Sequence, residues 1–526
     1  MSRDLVIIEA PGKLRTLYGV FAQVGLHADI CATIGHFLEN PSDLKDLAIG
    51  YRDGQFIEPK RQPHRPDSFA CLRDQLRRCA GRILIATDND HEGHVIAQDV
   101  ATLIRAMQIK QPVYRMLFPG LDAESVRNAL NHLQPIDPSK AVPGTARRIT
   151  DRLIGGCLSD FEENLPVGRV QSALLGLCVQ GVAHSHINVK MPAADGGKPF
   201  LGQLPVFGAT NPAQLIAELG VFELPPAPVA GREVVAMSSP LNYGDALVEL
   251  NAALGIDVER AGELLQQMYE CGDISYARTA SRGFTGAGAA AVEQLARIKG
   301  IMTFKKDRLP RVDAHGLSEP HEAIRVLNES LFKRLDIGKP IKLHASERDA
   351  AQAIIARRSV EAGIPVQRDY PDLRQAPEWA QAIAWHRDTR RAILPWRAAE
   401  PAATVRHDQK SALVAEMMAH GIGKPSTWAG HASRFLSRGL VDDAFRLTIK
   451  GRELFDIAPP ALKDVLSSAR IEALLDNEQE QVGELVIEAL GAALDQDLGK
   501  VQQILEQLEA IADEYDDPEN NYRPTL

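Results

Sequence analysis

The chain has 526 residues, too many for one hydrophobic core, so several domains are expected. Apolar residues make up 45% and charged residues 24%, an ordinary balance for a soluble globular protein, and no run reaches the length of a membrane span. The formal net charge of −10 argues against a uniformly basic nucleic-acid binder; such a partner would need a local basic surface on an acidic background.

The six cysteines include no Cys-x-x-Cys pair, which argues against a zinc ribbon, and nothing points to a secreted disulfide scaffold. The first residues do not form a signal peptide, so a cytoplasmic location is expected. In chain order, residues 5–8 are an apolar run that ends in Glu9, followed by Pro11, Gly12 and Lys13 and a helix from about Leu14. His36 lies in a glycine-bearing turn, and residues 43–66 are polar and read as loop. Residues 82–97 carry the densest chemistry. Ile83, Leu84 and Ile85 suit a buried parallel strand, Asp88, Asp90 and Glu92 follow at alternate positions, and a helix-periodic stretch starts at Gly93. A strand, an acidic loop and a helix place carboxylates at the carboxyl edge of an α/β sheet, where ligands bind. Three hard oxygen donors this close suit Mg²⁺; a solvated acidic turn is the alternative. With strands expected at 112–118 and a helix at 122–130, residues 1–138 read as one parallel α/β domain.

Beyond the proline-rich boundary at 135–143, residues 146–158 form a helical stretch with Arg147, Arg148, Asp151 and Arg152. Residues 165–179 are a turn entering an apolar helix, with Arg169, Gln171 and Ser172 at its start, a pattern that can seat a phosphate or simply cap the helix. Residues 186–235 read as a β-rich connecting arm. A helical region over 245–271 ends at Gly272, and Tyr276, Arg278, Thr279 and Ser281 cluster directly after it. A phenol of pKa about 10 needs cationic help to act as a nucleophile, and Arg278 can provide it; a buried structural tyrosine is the alternative. His321 and Arg325 share a helix face if residues 319–327 are helical. Residues 367–400 read as a packed helix with connections. Residues 410–441 form two helices about a tight turn, and with a strand-like 446–449 they resemble a winged-helix unit. The turn at 421–427 is not a phosphate-binding P-loop, because position 418 is Met, and no ATP site is visible. Residues 465–515 are helical.

Together these segments resemble the type IA DNA topoisomerases. Glu9-Ala-Pro-Gly-Lys13 and Asp88-Asn-Asp90-His-Glu92-Gly93 look like the two halves of a Toprim domain. Gly35-His36, Gly168-Arg-Val-Gln-Ser172, Ile274-Ser-Tyr276-Ala-Arg278-Thr279, His321-Glu-Ala-Ile-Arg325 and residues 421–427 match further family motifs, in the family's order. The resemblance spans residues 5 to about 450. It implies a multidomain α/β + α protein: a Toprim α/β domain, helical winged-helix-like domains and a β-rich hinge, forming a torus. The expected division is 1–138 Toprim; 139–185 with 406–515 a helical DNA-gate domain; 186–235 with 362–405 the hinge; 236–361 the tyrosine domain; and 516–526 a disordered tail.

The implied function is ATP-independent cutting and resealing of one strand of single-stranded or underwound DNA, with relaxation of negative supercoils, by a monomer. Tyr276 would be the nucleophile, Arg278 the phosphate clamp, Glu9 the proton donor and Lys13 its electrostatic support. Asp88, Asp90 and Glu92 would hold Mg²⁺, and His36, Arg169, Gln171, Ser172, Thr279, His321 and Arg325 would contact DNA. Several positions depart from the family pattern: Ala280 stands where an Asp is common, His91 where Arg is usual, His94 where an acid often follows, and Pro119-Gly120 where an acidic segment is usual. The competing readings are a non-catalytic DNA-binding protein on a decayed scaffold, and a Toprim metal-dependent nuclease that ignores Tyr276.

Overall fold

The computed structural model describes residues 3–219, 224–312, 321–390, 392–397, 402–478 and 480–516. The N-terminal apolar runs form a four-stranded parallel sheet in the order Ala28–Ala32, Asp4–Ile8, Ile83–Ile85, Val113–Arg115. Both central strands are almost wholly buried, because helices cover both faces, and that is why they are continuous Val, Leu and Ile. The chain leaves Asp4–Ile8 toward one edge of the sheet and returns to Ile83–Ile85 on its other side. The carboxyl ends of these two neighbours therefore flank a topological switch point, the usual ligand crevice of an open α/β sheet. Glu9 follows one strand and the acidic loop follows the other.

The polar stretch 43–66 is more structured than its composition indicates. Gly50–Arg52 pairs with Gln55–Ile57, and Leu38–Glu39 pairs with Gln62–Pro63. Asp53 and Gly54 both take positive φ, 51° and 80°, which is the Asp-Gly hairpin geometry that the loop reading missed.

Helices Val142–Leu158 and Arg169–Gln180 pack with the C-terminal helices Gln409–His420, Val465–Leu474 and Val482–Ala493 around one large apolar core. Gly176 shows how closely they approach: a Cβ there would lie 1.9 Å from the carbonyl oxygen of Lys463. The strand expected at 446–449 is a single bridge, Val441 to Leu447, because a helix capped by Thr448 already starts at Ile449. The wing is thus minimal.

The arm consists of two antiparallel sheets, each built from both passes of the chain. Ala183–Met191 lies between Phe200–Phe207 and Thr404–Arg406, and Pro365–Pro371 lies between Val229–Ala236 and Arg387–Arg390. The described residues of 367–400 therefore hold strand segments and one helical turn, Glu378–Gln381, rather than a packed helix. Cross-strand pairing with residues more than a hundred positions away overrides the local pattern.

Helices Tyr243–Leu254, Val258–Glu270, Gly286–Ile298 and Glu347–Glu361 carry the tyrosine segment back to the sheet. Thr16 Oγ1 donates to Glu270 O at 2.7 Å, and the Tyr276 amide donates to Pro119 O at 2.9 Å. These contacts seat the tyrosine segment against the N-terminal domain, as the expected torus requires. The last helix runs Leu498–Asp516, so Asp516 is helical, and the rest of the expected tail lies outside the described residues. Among the described residues no helix is long and apolar enough to cross a membrane.

Candidate active site

The acidic loop is held in shape from below. Arg115 is buried, and its guanidinium donates to the carbonyls of Ile85, Thr87 and Asp88 at 3.0, 2.8 and 2.8 Å. Thr87 Oγ1 donates to Gly93 O at 2.6 Å. Gly93 is required because a Cβ there would meet Asp88 O at 2.1 Å. Asp90 caps the helix His91–Ala106: its Oδ1 accepts the Gly93 amide at 2.7 Å. Its other oxygen, Oδ2, accepts the Tyr276 hydroxyl at 2.5 Å. A capping carboxylate on one domain thus receives the phenol of another.

Tyr276 is 3% exposed. Its ring stacks on His321, with centroids 4.4 Å apart, and meets Tyr269 edge-on at 5.4 Å. Burial first, then the charges of Asp90 and Asp88, push the phenol well above its ordinary pKa, with Arg278 pulling the other way. At rest the hydroxyl keeps its proton. Burial also acts upward on Asp90, but the hydrogen bonds from Tyr276 and Gly93 and the cation Arg278 hold it below its usual value. Arg278 is mostly enclosed, yet no hydrogen bond or ion pair to any described residue engages its guanidinium.

Glu9 is the second unfinished group. Its Oε2 is buried without a hydrogen-bond partner. Burial, then Asp88 and Asp90, push its pKa up to about 8 against the opposing pull of Lys13 and Arg278. Lys13 is fully buried, pairs with Asp88 Oδ1, and sits 4.8 Å over the Tyr269 ring.

The expected Mg²⁺ ligands Asp88, Asp90 and Glu92 do not converge. Each faces a different protein partner: Lys13 for Asp88, Tyr276 for Asp90, and His36 Nε2 at 3.8 Å for the exposed Glu92. Among the described residues no three carboxylate, imidazole or thiol groups are gathered around a point that could hold an ion. The alternation that puts three acids in one loop also sends Glu92 onto the first turn of the helix, facing outward. Asp88 and Asp90 lie near enough to Glu9 to raise its pKa, and two such hard oxygen donors suit a divalent cation, but the three carboxylates are not gathered around one point.

The expected DNA contacts divide. His36, Arg169, Thr279 and His321 line a cleft of about 760 Å³ that opens beside Tyr276; Gln171, Ser172 and Arg325 do not. Gln171 returns its amide to Pro166 O, Ser172 is fully buried, and Arg325 pairs with Glu322 at 2.6 Å. Nor is the segment from His321 helical. Ile324 bridges Leu241 and Val326 bridges Ile274, so the segment lies alongside the tyrosine segment, with the Arg325 amide donating to Ser275 Oγ at 3.0 Å. Arg325 supports the tyrosine from behind. Arg169 reaches the cleft wall but is 3% exposed, held by Asp151 at 2.6 Å and Glu472 at 2.8 Å. The cleft also contains groups that sequence reasoning left without a role: His91, His94, Lys424, His431, Glu472 and Asp476. Burial first lowers His91 and His431 to about 4 and His94 to about 3, so all three imidazoles are neutral. Only their convergence in space marks them.

Comparison with known proteins finds matches to the N-terminal sheet and to most of the chain. The Toprim domain family matches residues 4–119. DNA topoisomerase 1 of Aquifex aeolicus is 24% identical over 536 aligned residues, covering 91% of this chain and 95% of the relative. Along most of its length the chain is similar to DNA topoisomerase 1. A DNA topoisomerase 1 of Synechocystis is 27% identical over 376 residues, and there the chain spans only 41% of the relative. Full-length topoisomerase I of Thermotoga maritima shares the fold, with TM-score 0.62 at 21% identity, covering 94% of this chain and 90% of that one.

Proposed function

We propose that this topoisomerase relative cleaves one strand of single-stranded or underwound DNA through a 5′-phosphotyrosine, passes a strand through the gap and reseals it without ATP. The observation that carries the reading is the hydrogen bond from Tyr276 to Asp90, which lines the cleft together with Arg278, a guanidinium unpaired among the described residues. A scissile phosphate bound by Arg278 would sit beside the phenol oxygen. The Tyr276 oxygen bonds to phosphorus as the P–O3′ bond breaks, and Asp90 lies in line to take the phenolic proton. Glu9, whose pKa near 8 keeps it protonated at neutral pH, supplies the proton to the departing 3′-oxygen. Because the phosphodiester is exchanged rather than hydrolysed, resealing is the reverse reaction.

Asp88 and Asp90 would hold Mg²⁺, which when bound supplies positive charge near the phosphates, while Glu9 keeps its proton for the leaving oxygen. Glu92 would join them only by leaving His36. Arg278, His36, Thr279 and His321 are the DNA contacts in this reading, while Arg169, Gln171, Ser172 and Arg325 position the elements that carry them. The gate formed by 139–185 and 406–515, the hinge of 186–235 and 362–405, the monomeric state and the cytoplasmic location belong to the same proposal. A Toprim nuclease would leave the Tyr276–Asp90 hydrogen bond without a purpose.

The test is relaxation of negatively supercoiled plasmid with Mg²⁺ and no ATP. Wild-type protein is expected to relax it and Tyr276→Phe to leave it untouched. Relaxation by Tyr276→Phe, or a strict need for ATP, contradicts the proposal.

A further inference from the structure

The cleft that would receive DNA is not electrostatically empty. Six arginine and lysine side chains line it, and so do seven carboxylates. A short run of the C-terminal helical region, residues 472–478, supplies three of those carboxylates. Glu472 takes Arg169 and lies 3.5 Å from Arg147, and Glu478 holds Lys140 at 2.6 Å.

Asp476 is the best placed of the three. Its Oδ1 accepts from Arg147 Nη2 at 3.0 Å and lies 3.6 Å from His91 Nδ1, and its Oδ2 pairs with Lys424 Nζ. Arg147 in turn reaches the neutral His91 imidazole through its other terminal nitrogen at 3.1 Å. Two cations and an imidazole from three separate parts of the chain therefore converge on one oxyanion. Its side chain is 36% exposed on the cleft side, unlike Glu472 at 3%. A planar or tetrahedral anion held between a guanidinium and an ammonium is also how a backbone phosphate is bound.

We propose that Asp476 is an internal stand-in for a DNA phosphate: its carboxylate occupies the seat between Arg147 and Lys424 until a nucleic-acid strand displaces it. The inference rests on the proposed DNA-cleaving function and adds to it a device that sets affinity. An isolated anion gains little by exchanging with a tethered carboxylate. A strand already anchored at Arg278 delivers its neighbouring phosphate at high local concentration and can make the exchange. Asp476 thus lowers background binding and reserves the seat for an extended strand.

The test is fluorescence anisotropy with a dye-labelled single-stranded oligonucleotide, without divalent metal, over a series of salt concentrations. The proteins are wild type, Asp476→Asn, Lys424→Gln and the double variant. Asp476→Asn is expected to bind roughly three- to tenfold tighter, since it removes one competing charge from a partly exposed seat. The slope of log K against log salt should steepen by about 0.7, the value for one more neutralised phosphate on a single strand. Lys424→Gln should cost little in wild type, where the ammonium is already neutralised, and more in the Asp476→Asn background.

Equal or weaker binding by Asp476→Asn with an unchanged slope overturns the proposal, and so does an equal cost of Lys424→Gln in both backgrounds. Those outcomes leave the cleavage reading intact, because wild type still binds the strand. Failure of every protein to bind single-stranded DNA overturns both.

Discussion

Two clusters of charged side chains face the same cleft, and they differ in whether their hydrogen bonds are complete. At the tyrosine, Arg278 has no partner among the described residues, Glu9 keeps a buried oxygen unpaired, and Tyr276 shares a short hydrogen bond with Asp90. On the cleft wall, Arg169 is saturated by Asp151 and Glu472, and behind it Gln171 is bound to Pro166 O. Both clusters are made of residues that sequence reasoning would assign to phosphate. A charged group left unpaired marks the place where a ligand finishes the network; a saturated one marks a structural joint, because an unpaired buried charge costs far more than an unpaired hydroxyl.

The contrast can be broken from either side. The largest effect is expected on the cleft wall. Arg169→Ala takes from the buried carboxylate of Glu472 the nearer of its two cations, leaving Arg147 at 3.5 Å, and should cost about 3 kcal/mol of stability, read as a lower midpoint in chemical denaturation. Unchanged stability would mean that Arg169 is free for DNA after all. Arg278→Ala should do the reverse: near-normal stability, with the rate of DNA cleavage reduced about 10²- to 10³-fold, as for loss of a preorganised charge at a reacting phosphate. A large loss of stability with little loss of rate would reassign Arg278 to the structural class.

Glu9 gives a subtler test. Its folded-state pKa, about 8, lies above the ordinary 4.5, so the folded chain binds a proton that the unfolded chain has released. Its contribution to stability is present below 4.5 and is lost as pH rises toward 8. In chelator, wild type should lose more of its thermal midpoint than Glu9→Gln between about pH 5.5 and pH 8. Parallel pH profiles would contradict the shift. His91, His94 and His431, lowered by burial, work in the opposite sense at acid pH and are common to both proteins, so the difference isolates Glu9.

The smallest effect is Ser172→Ala. The hydroxyl is buried and unpartnered, so removing it should change stability by less than about 1 kcal/mol and leave oligonucleotide binding unaltered. A clear loss of binding would restore Ser172 to the DNA contacts.

Much of the scaffold was legible in the sequence because its cues are local. The runs at 4–8 and 83–85 are buried strands, Asp90 and Asp122 cap the helices that follow them, and Gly272, with φ of 74°, follows the helix before the tyrosine. What failed was decided at long range. The helix expected around His321–Arg325 is extended because it pairs with residues near 241 and 274. Glu92 belongs to the acidic triplet in sequence, but the helix it opens turns it toward His36. Arg169 reads as a phosphate ligand until Glu472, 303 residues later, appears beside it. Local pattern identifies which residues can carry charge chemistry; only the packing shows which of them have already spent it on one another.

The central claim is that Tyr276 is the atom donor in a reversible DNA break. Its most direct test is incubation with 3′-labelled single-stranded DNA, with and without Mg²⁺, followed by denaturation and separation of protein from free strand. The expected result is label that travels with the wild-type protein and is absent from Tyr276→Phe, although that variant still binds the oligonucleotide. Covalent label on Tyr276→Phe, or shortened DNA with no label on the wild-type protein, would contradict the account and point to another nucleophile or to water.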